Sequence, residues 1–167
     1  MPGGGGSVVV TSKFLQSHSL FGGILDDQLE EIRPFLTEKR FPKGATIIRE
    51  GEEGDCLYFI CEGSVEILKD PTPSDDDKLQ RLAVLGEGDT FGEMELIDIQ
   101  HRAATVKTLE DVKALTLSNA DLYKIYKKNM KTYTMIVLNL ARDISRRLRK
   151  MDALAASTLY AAHRSDE

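Results

Sequence analysis

Hydrophobic positions along the chain change their period twice. Leu20, Ile24, Leu25, Leu29, Ile32 and Leu36 fall near helical spacing, interrupted by Gly22-Gly23 and by Pro34, which predicts a short helical turn followed by one short amphipathic helix. From Glu38 to about Ser118 the period drops to two. Phe41, Thr46-Ile47-Ile48, Leu57-Tyr58-Phe59-Ile60 and Val65-Glu66-Ile67-Leu68 form short β-branched and aromatic runs, and Pro42-Lys43-Gly44, Gly51 to Asp55 and Glu62-Gly63-Ser64 supply turns between them. Leu82 to Leu85, Ala104 to Val106 and Val112 to Leu117 complete the set, after an exposed hairpin loop over Asp70 to Gln80 that holds two prolines and four aspartates. After Ser118 the helical period returns. Ser118 or Asn119 caps a helix through Tyr123, and a second helix runs from about Lys131 to Ala156 without Gly or Pro.

Many short strands closed by frequent turns predict a mainly β fold, a jelly-roll barrel with N-terminal helices and a long C-terminal helix. At 167 residues the chain has room for one domain with appended helices. The expected layout is a disordered glycine-rich arm over residues 1–12, a barrel domain with flanking helices over 13–130, a long lid or dimerisation helix over 131–157 and a tail over 158–167. In the long helix Val137, Leu140, Ile144, Met151 and Leu154 fit a and d positions of a heptad, and Arg147 breaks one d site. At about 26 residues that helix would reach roughly 39 Å, more than a small barrel can cover, which favours a homodimer joined through it.

Charge and composition remove several function classes. A net charge of −5 and a pI of about 5.3 argue against a general nucleic-acid binder, although one buried arginine can still hold a small anion. Arg142, Arg146, Arg147, Arg149 and Lys150 read as a solvated helix face. Cys56 and Cys61 would point to opposite faces of a strand, which disfavours a shared disulfide or metal, and two reduced thiols suit the cytoplasm. The glycine-rich start lacks the features of a signal peptide, and no stretch reaches the roughly 20 apolar residues of a membrane span. A metal-dependent barrel enzyme needs clustered histidines. His18 and His163 fall in the termini and His101 in a surface loop, and no nucleophile elbow or P-loop occurs, so no catalysis and no cofactor are expected.

The informative stretch is Gly88-Asp89-Thr90-Phe91-Gly92-Glu93-Met94-Glu95-Leu96-Ile97, followed by His101-Arg102-Ala103-Ala104-Thr105-Val106. A glycine turn feeding a brief helix leaves backbone N–H groups that favour an anion. Arg102, nine residues after Glu93, can return on a strand to the same cavity. A guanidinium fork matches two phosphate oxygens and a carboxylate accepts from ribose hydroxyls. The alternative for both residues is a structural ion pair that needs no ligand.

The segment FGEMELIDIQHRAATVKT resembles the phosphate-binding cassette of cyclic-nucleotide-binding domains, the module shared by protein kinase A regulatory subunits, catabolite activator proteins and cyclic-nucleotide-gated channels. FPKGATIIREGEEGDCLYFICEGSVEIL resembles the strands and turns that precede it, and the likeness covers about Leu20 to Asp152. The resemblance implies that Glu93 accepts from the ribose 2′-hydroxyl, that Gly92 leaves space for the sugar, and that Arg102 pairs with the cyclic phosphate beside Ala103 and Ala104. Phe91, Met94, Glu95 and Leu96 are candidate lining residues, and Tyr133, Val137 and Leu140 are candidate lids over the base. Ala103 lacks the hydroxyl that members preferring cyclic GMP place after the arginine, so cyclic AMP is favoured, with cyclic GMP as the second ligand.

Glu95 departs from the family pattern, which has a small residue at that position. A carboxylate pointing inward at about 5 Å from the phosphate would repel it by roughly 3 kcal/mol, about two decades of affinity. Turned to solvent, or neutralised by Arg102 or His101, it would cost nothing. The expected function is therefore a non-enzymatic sensor whose C-terminal helices swing over the base and signal to an unidentified partner or through the dimer. The competing reading is a degenerate domain that binds no nucleotide and serves in dimerisation or docking. A third takes these residues as one piece of a longer chain. Only about 15 residues follow Met151, so the helix-turn-helix domain of the related transcription factors, and with it direct DNA contact, is not expected.

Overall fold

The computed structural model describes residues 10–70, 79–98 and 100–165, with side chains at all of these but Glu95, Leu159 and 161–165. Two N-terminal helices, α1 (Ser12–Gln16) and α2 (Asp26–Ile32), lead into strands β1 (Thr37–Phe41), β2 (Thr46–Ile48), β3 (Cys56–Glu62), β4 (Val65–Lys69), β5 (Gln80–Leu85) and β6 (Thr90–Phe91). A short helix α3 (Glu93–Ile97) follows, then β7 (Thr105–Thr108), β8 (Val112–Ser118), α4 (Asn119–Lys128) and α5 (Met130–Ser165). Single 3-10 turns at Ser19–Phe21 and Arg33–Phe35 flank α2.

The strands form two four-stranded antiparallel sheets, ordered β1-β8-β3-β6 and β2-β7-β4-β5, the jelly-roll arrangement expected from the period-two segments. Strand β3 is buried on both faces, and its alternation sorts two cores. Tyr58 and Ile60 face the barrel interior with Ile48, Val65, Phe91, Val106, Val112 and Ala114. Leu57, Phe59 and Cys61 face outward under the helices, against Leu15, Leu20, Phe21, Leu29, Ile32, Ile125, Ile136 and Leu140. The two thiols accordingly point to opposite faces and are both free, and burial pushes that of Cys61 up to about 11.

Three expectations need correction. The arm predicted through residue 12 is structured from Val10, because Thr11 caps α1 and the Val10 carbonyl accepts from Arg33 at 2.9 Å; the glycine run itself lies outside the described residues. His18, expected in a terminus, packs edge-on against Phe14 and Phe59 with ring centroids 4.8 and 5.5 Å away. Helix α5 continues nine residues beyond Ala156 through most of the expected tail, since Ala153, Ala155, Ala156, Ala161 and Ala162 favour helix without a periodic apolar stripe to announce it. Most of the predicted hairpin loop between β4 and β5 lies outside the described residues.

Helix α5 starts on the Asn129 side chain, which accepts from the Thr132 N–H at 3.1 Å. Its first half is fastened to the turn before α2. Ile136 and Leu140 enter the outer core, buried Asn139 donates to the Leu20 and Gly22 carbonyls at 3.0 and 2.9 Å, and the Ser19 hydroxyl donates to Asp143 at 3.0 Å. Farther along, Leu148, Met151 and Leu154 are 57, 63 and 67 % exposed. No helix among the described residues is long and apolar enough to cross a membrane.

Candidate functional site

Arg102 enters the site on the segment before β7, and the β2–β3 loop frames its backbone. Its N–H donates to the Glu52 carbonyl and its own carbonyl accepts from the Gly51 N–H, both at 2.8 Å. The side chain is 6 % exposed. Both terminal nitrogens donate to the Cys56 carbonyl at 3.2 Å, and Nη1 also lies 3.5 Å from the Gly92 carbonyl. These bonds turn the guanidinium towards the corner where β6 meets α3.

That corner depends on Gly92. It begins α3 at φ 74°, a left-handed conformation that disfavours any side chain. A Cβ there would also stand 2.7 Å from the Cys56 carbonyl and 2.8 Å from Arg102 Nη1. Glycine is therefore required twice over, by dihedral angle and by the approach of Arg102. Directly after it comes Glu93, 8 % exposed. The Arg102 guanidinium thus lies against the glycine that precedes Glu93.

The neighbouring candidates divide. Ala103 is exposed and Ala104 half-buried, and the Ala103 carbonyl is fixed by Lys69 Nζ at 2.8 Å. Lys69 also ion-pairs with Glu50, and these contacts hold the Glu50 carboxyl below the usual range, the Lys69 hydrogen bond acting most strongly and the Asp70 N–H adding to it. Phe91 is inside the barrel, stacked on Tyr58 with centroids 4.8 Å apart and planes 2° from parallel. Met94 is exposed, whereas Leu96 turns into the outer core. The Glu95 side chain lies outside the described residues. His101 is on the surface.

Leu140 is in the outer core, and the Tyr133 ring meets that of Tyr126 edge-on at 5.2 Å, while Val137 is half-buried. Helix α5 reaches the corner through Arg147, which the sequence reading placed on a solvated face. Its Nη1 donates to Glu93 Oε1 at 2.7 Å, and its Nη2 donates to the Thr90 carbonyl and lies 3.3 Å from the Thr90 hydroxyl.

Two more residues of the site escaped the sequence reading. Gly54 lies under the guanidinium, since a Cβ there would fall 2.1 Å from Arg102 Nε and 2.3 Å from Nη2. Lys69 anchors Ala103 from β4. Neither has a local signal, because one reads as a turn glycine and the other as a strand-end lysine. Arg147 left a trace as a charged residue at an apolar heptad position. Among the described residues no group of three or more His, Cys, Asp or Glu could hold a metal ion.

Comparison with known proteins identifies the family. Residues 38–129 match the family model of the cyclic nucleotide-binding domain. The chain is 28 % identical over 138 residues to the cyclic AMP receptor protein of Thermus thermophilus, covering 83 % of this chain and 61 % of that protein. It therefore spans about three-fifths of that relative's length. Among solved structures, a cyclic nucleotide-binding domain from Methylobacillus flagellatus superposes with a TM-score of 0.74 at 25 % identity, covering 83 % of this chain and 76 % of the other. The regulatory domain of Toxoplasma gondii PKA, crystallised with cAMP, superposes at 0.58 with 28 % identity over 68 % of this chain and 42 % of its own. The barrel, the glycine corner and the match over residues 38–129 make this chain a member of the cyclic nucleotide-binding domain family.

Proposed function

We propose that the chain is a regulatory sensor for cyclic AMP that acts by binding, without catalysis. Arg102 takes the cyclic phosphate, the Ala103 and Ala104 backbone lies beside it, Glu93 accepts from the ribose 2′-hydroxyl, and Gly92 admits the sugar. The observation that carries this reading is a buried arginine lying against Gly92, the residue before buried Glu93, where neither a Cβ on Gly92 nor one on Gly54 would fit. Alanine at position 103 offers no hydroxyl to a guanine amino group, so cyclic AMP binds more tightly than cyclic GMP. Movement of α5 brings one of Tyr133, Val137 or Leu140 over the base. The exposed stripe of Leu148, Met151 and Leu154 supports a homodimer through α5, in which ligand binding changes helix geometry and so signals to a downstream protein.

Calorimetric titration tests the reading. Saturable binding of cyclic AMP, with cyclic GMP weaker, is the expected result. Flat traces from folded protein would leave the docking module, a reading that the pairing of Glu93 with Arg147 favours.

Gly54 adds an independent test. Gly54→Ala forces the guanidinium off the Cys56 carbonyl, and the loss of one or two charge-assisted contacts predicts nucleotide binding weaker by about 10²-fold. Unchanged affinity in that variant would mean that Arg102 does not carry the phosphate.

A further inference from the structure

Strand β4 runs beside β7 only as far as the Leu68–Thr105 pair. Lys69 is the next and last residue of β4, and on the other side the chain bends at Ala104 and Ala103 on its way back to Arg102. Backbone groups that leave a ladder need other partners. The β2–β3 loop supplies several. The Glu52 carbonyl accepts from the Arg102 N–H, the Gly51 N–H donates to the Arg102 carbonyl, and the Glu50 N–H donates to the Thr105 hydroxyl at 3.0 Å. Between these fixed points stands the Ala103 carbonyl, which accepts from the Lys69 ammonium at 2.8 Å.

The lysine is itself held. An ammonium has three donors, and that of Lys69 places a second on the Glu50 carboxylate, which also accepts from the Asp70 N–H at 3.2 Å. Carboxylate and ammonium neutralise each other, so the pair contributes direction rather than net charge. A trans peptide is planar, with its carbonyl and its N–H on opposite edges. Fixing the Ala103 carbonyl towards Lys69 therefore turns the Ala104 N–H away from Lys69. Alanine has no polar side chain with which to hold that plane by itself.

We propose that Lys69, held by Glu50, is a positioning residue for the phosphate. It sets the plane of the Ala103–Ala104 peptide so that the N–H of that peptide meets one exocyclic oxygen of the cyclic phosphate, while the Arg102 guanidinium takes the other. The proposal rests on the reading of this corner as a cyclic nucleotide site. A donor fixed before the ligand arrives needs less ordering on binding, and affinity rises accordingly.

The test is calorimetric titration of wild type, Lys69→Met and Lys69→Arg with cyclic AMP and with its two phosphorothioate diastereomers. Each diastereomer carries sulfur, a weak acceptor, in place of a different exocyclic oxygen. Thermal melts establish that each variant is folded, as a lysine side chain 42 % exposed leads one to expect. Both diastereomers should bind wild type more weakly than cyclic AMP. Lys69→Met should bind cyclic AMP about tenfold more weakly, the worth of one charge-assisted contact, and the penalty for sulfur should vanish for one diastereomer and persist for the other. Repulsion from a Glu50 carboxylate left without its ammonium falls on all three ligands alike and cancels in the ratios. Lys69→Arg keeps the charge and the donors and should restore the lost penalty. Both penalties retained in Lys69→Met, or both lost, would reduce Lys69 to a structural or charge role, and unchanged affinity for cyclic AMP would remove it from the site; any of these overturns the proposal while the nucleotide site stands. A folded wild type that binds none of the three ligands overturns the proposed function and this inference with it.

Discussion

Replacing Arg102 with alanine is expected to abolish measurable nucleotide binding while leaving a folded barrel. Two charge-assisted bonds to a phosphate, at about 1.5–3 kcal/mol each, sum to about 3–6 kcal/mol, a loss of about 10²–10⁴-fold. The substitution also removes the donors to the Cys56 carbonyl, and leaving that carbonyl without them costs about 1–3 kcal/mol of stability. Its backbone frame survives, because the bonds to the Glu52 carbonyl and from the Gly51 N–H use main-chain atoms. Calorimetry and thermal melts together separate the two effects. Affinity within a few-fold of wild type would remove Arg102 from the phosphate site.

The largest loss of stability is expected from Phe59→Ala. Phe59 is 2 % exposed on the outer face of β3, where its ring meets Phe21, His18 and Phe14 edge-on at centroid distances of 5.2, 5.5 and 6.4 Å. Those partners come from α1 and the turn after it, so the side chain joins the helical layer to the sheet. Removing a buried phenyl costs about 3–5 kcal/mol, through lost transfer energy and the cavity left behind. Denaturant unfolding of the variant measures it. A change under about 1 kcal/mol would show that the helices do not depend on this face of β3.

Loss from this outer core and loss from the glycine corner are expected to stay separable. Phe59 and Tyr58 are adjacent in sequence but point to opposite faces of β3, one under the helices and one beside Phe91 inside the barrel. A substitution on the outer face changes stability first, and one at the corner changes binding first.

What could be read in the sequence was what is local in the sequence. Glu93, Gly92 and Arg102 fall within eleven consecutive residues, so their residue types and spacing point to one site before any fold is known. Most strands announced themselves as short β-branched and aromatic runs between turns, and the ends of β3 differ by at most two residues from the run that predicts it. Strand β6 did not, because two residues, Thr90 and Phe91, are too short to show a period. Helix α1 stayed hidden for the same reason, with only Phe14 and Leu15 to mark its apolar face.

Arg147 and Gly54 were illegible for a different reason. Arg147 is 54 positions from Glu93, and its role exists only because Asn139 and Asp143 fasten α5 at the angle that delivers it. Gly54 is a turn glycine like several others until the guanidinium of Arg102 lies across it. Contacts made by the packing of distant elements have no signature in the spacing of neighbours.

The structure of the chain crystallised with cyclic AMP tests the central claim most directly. The account predicts phosphate oxygens within hydrogen-bond distance of the Arg102 guanidinium and the 2′-hydroxyl on Glu93, with the sugar against Gly92. A nucleotide bound with its phosphate away from Arg102, or crystals grown at saturating ligand in which this corner holds none, would contradict it.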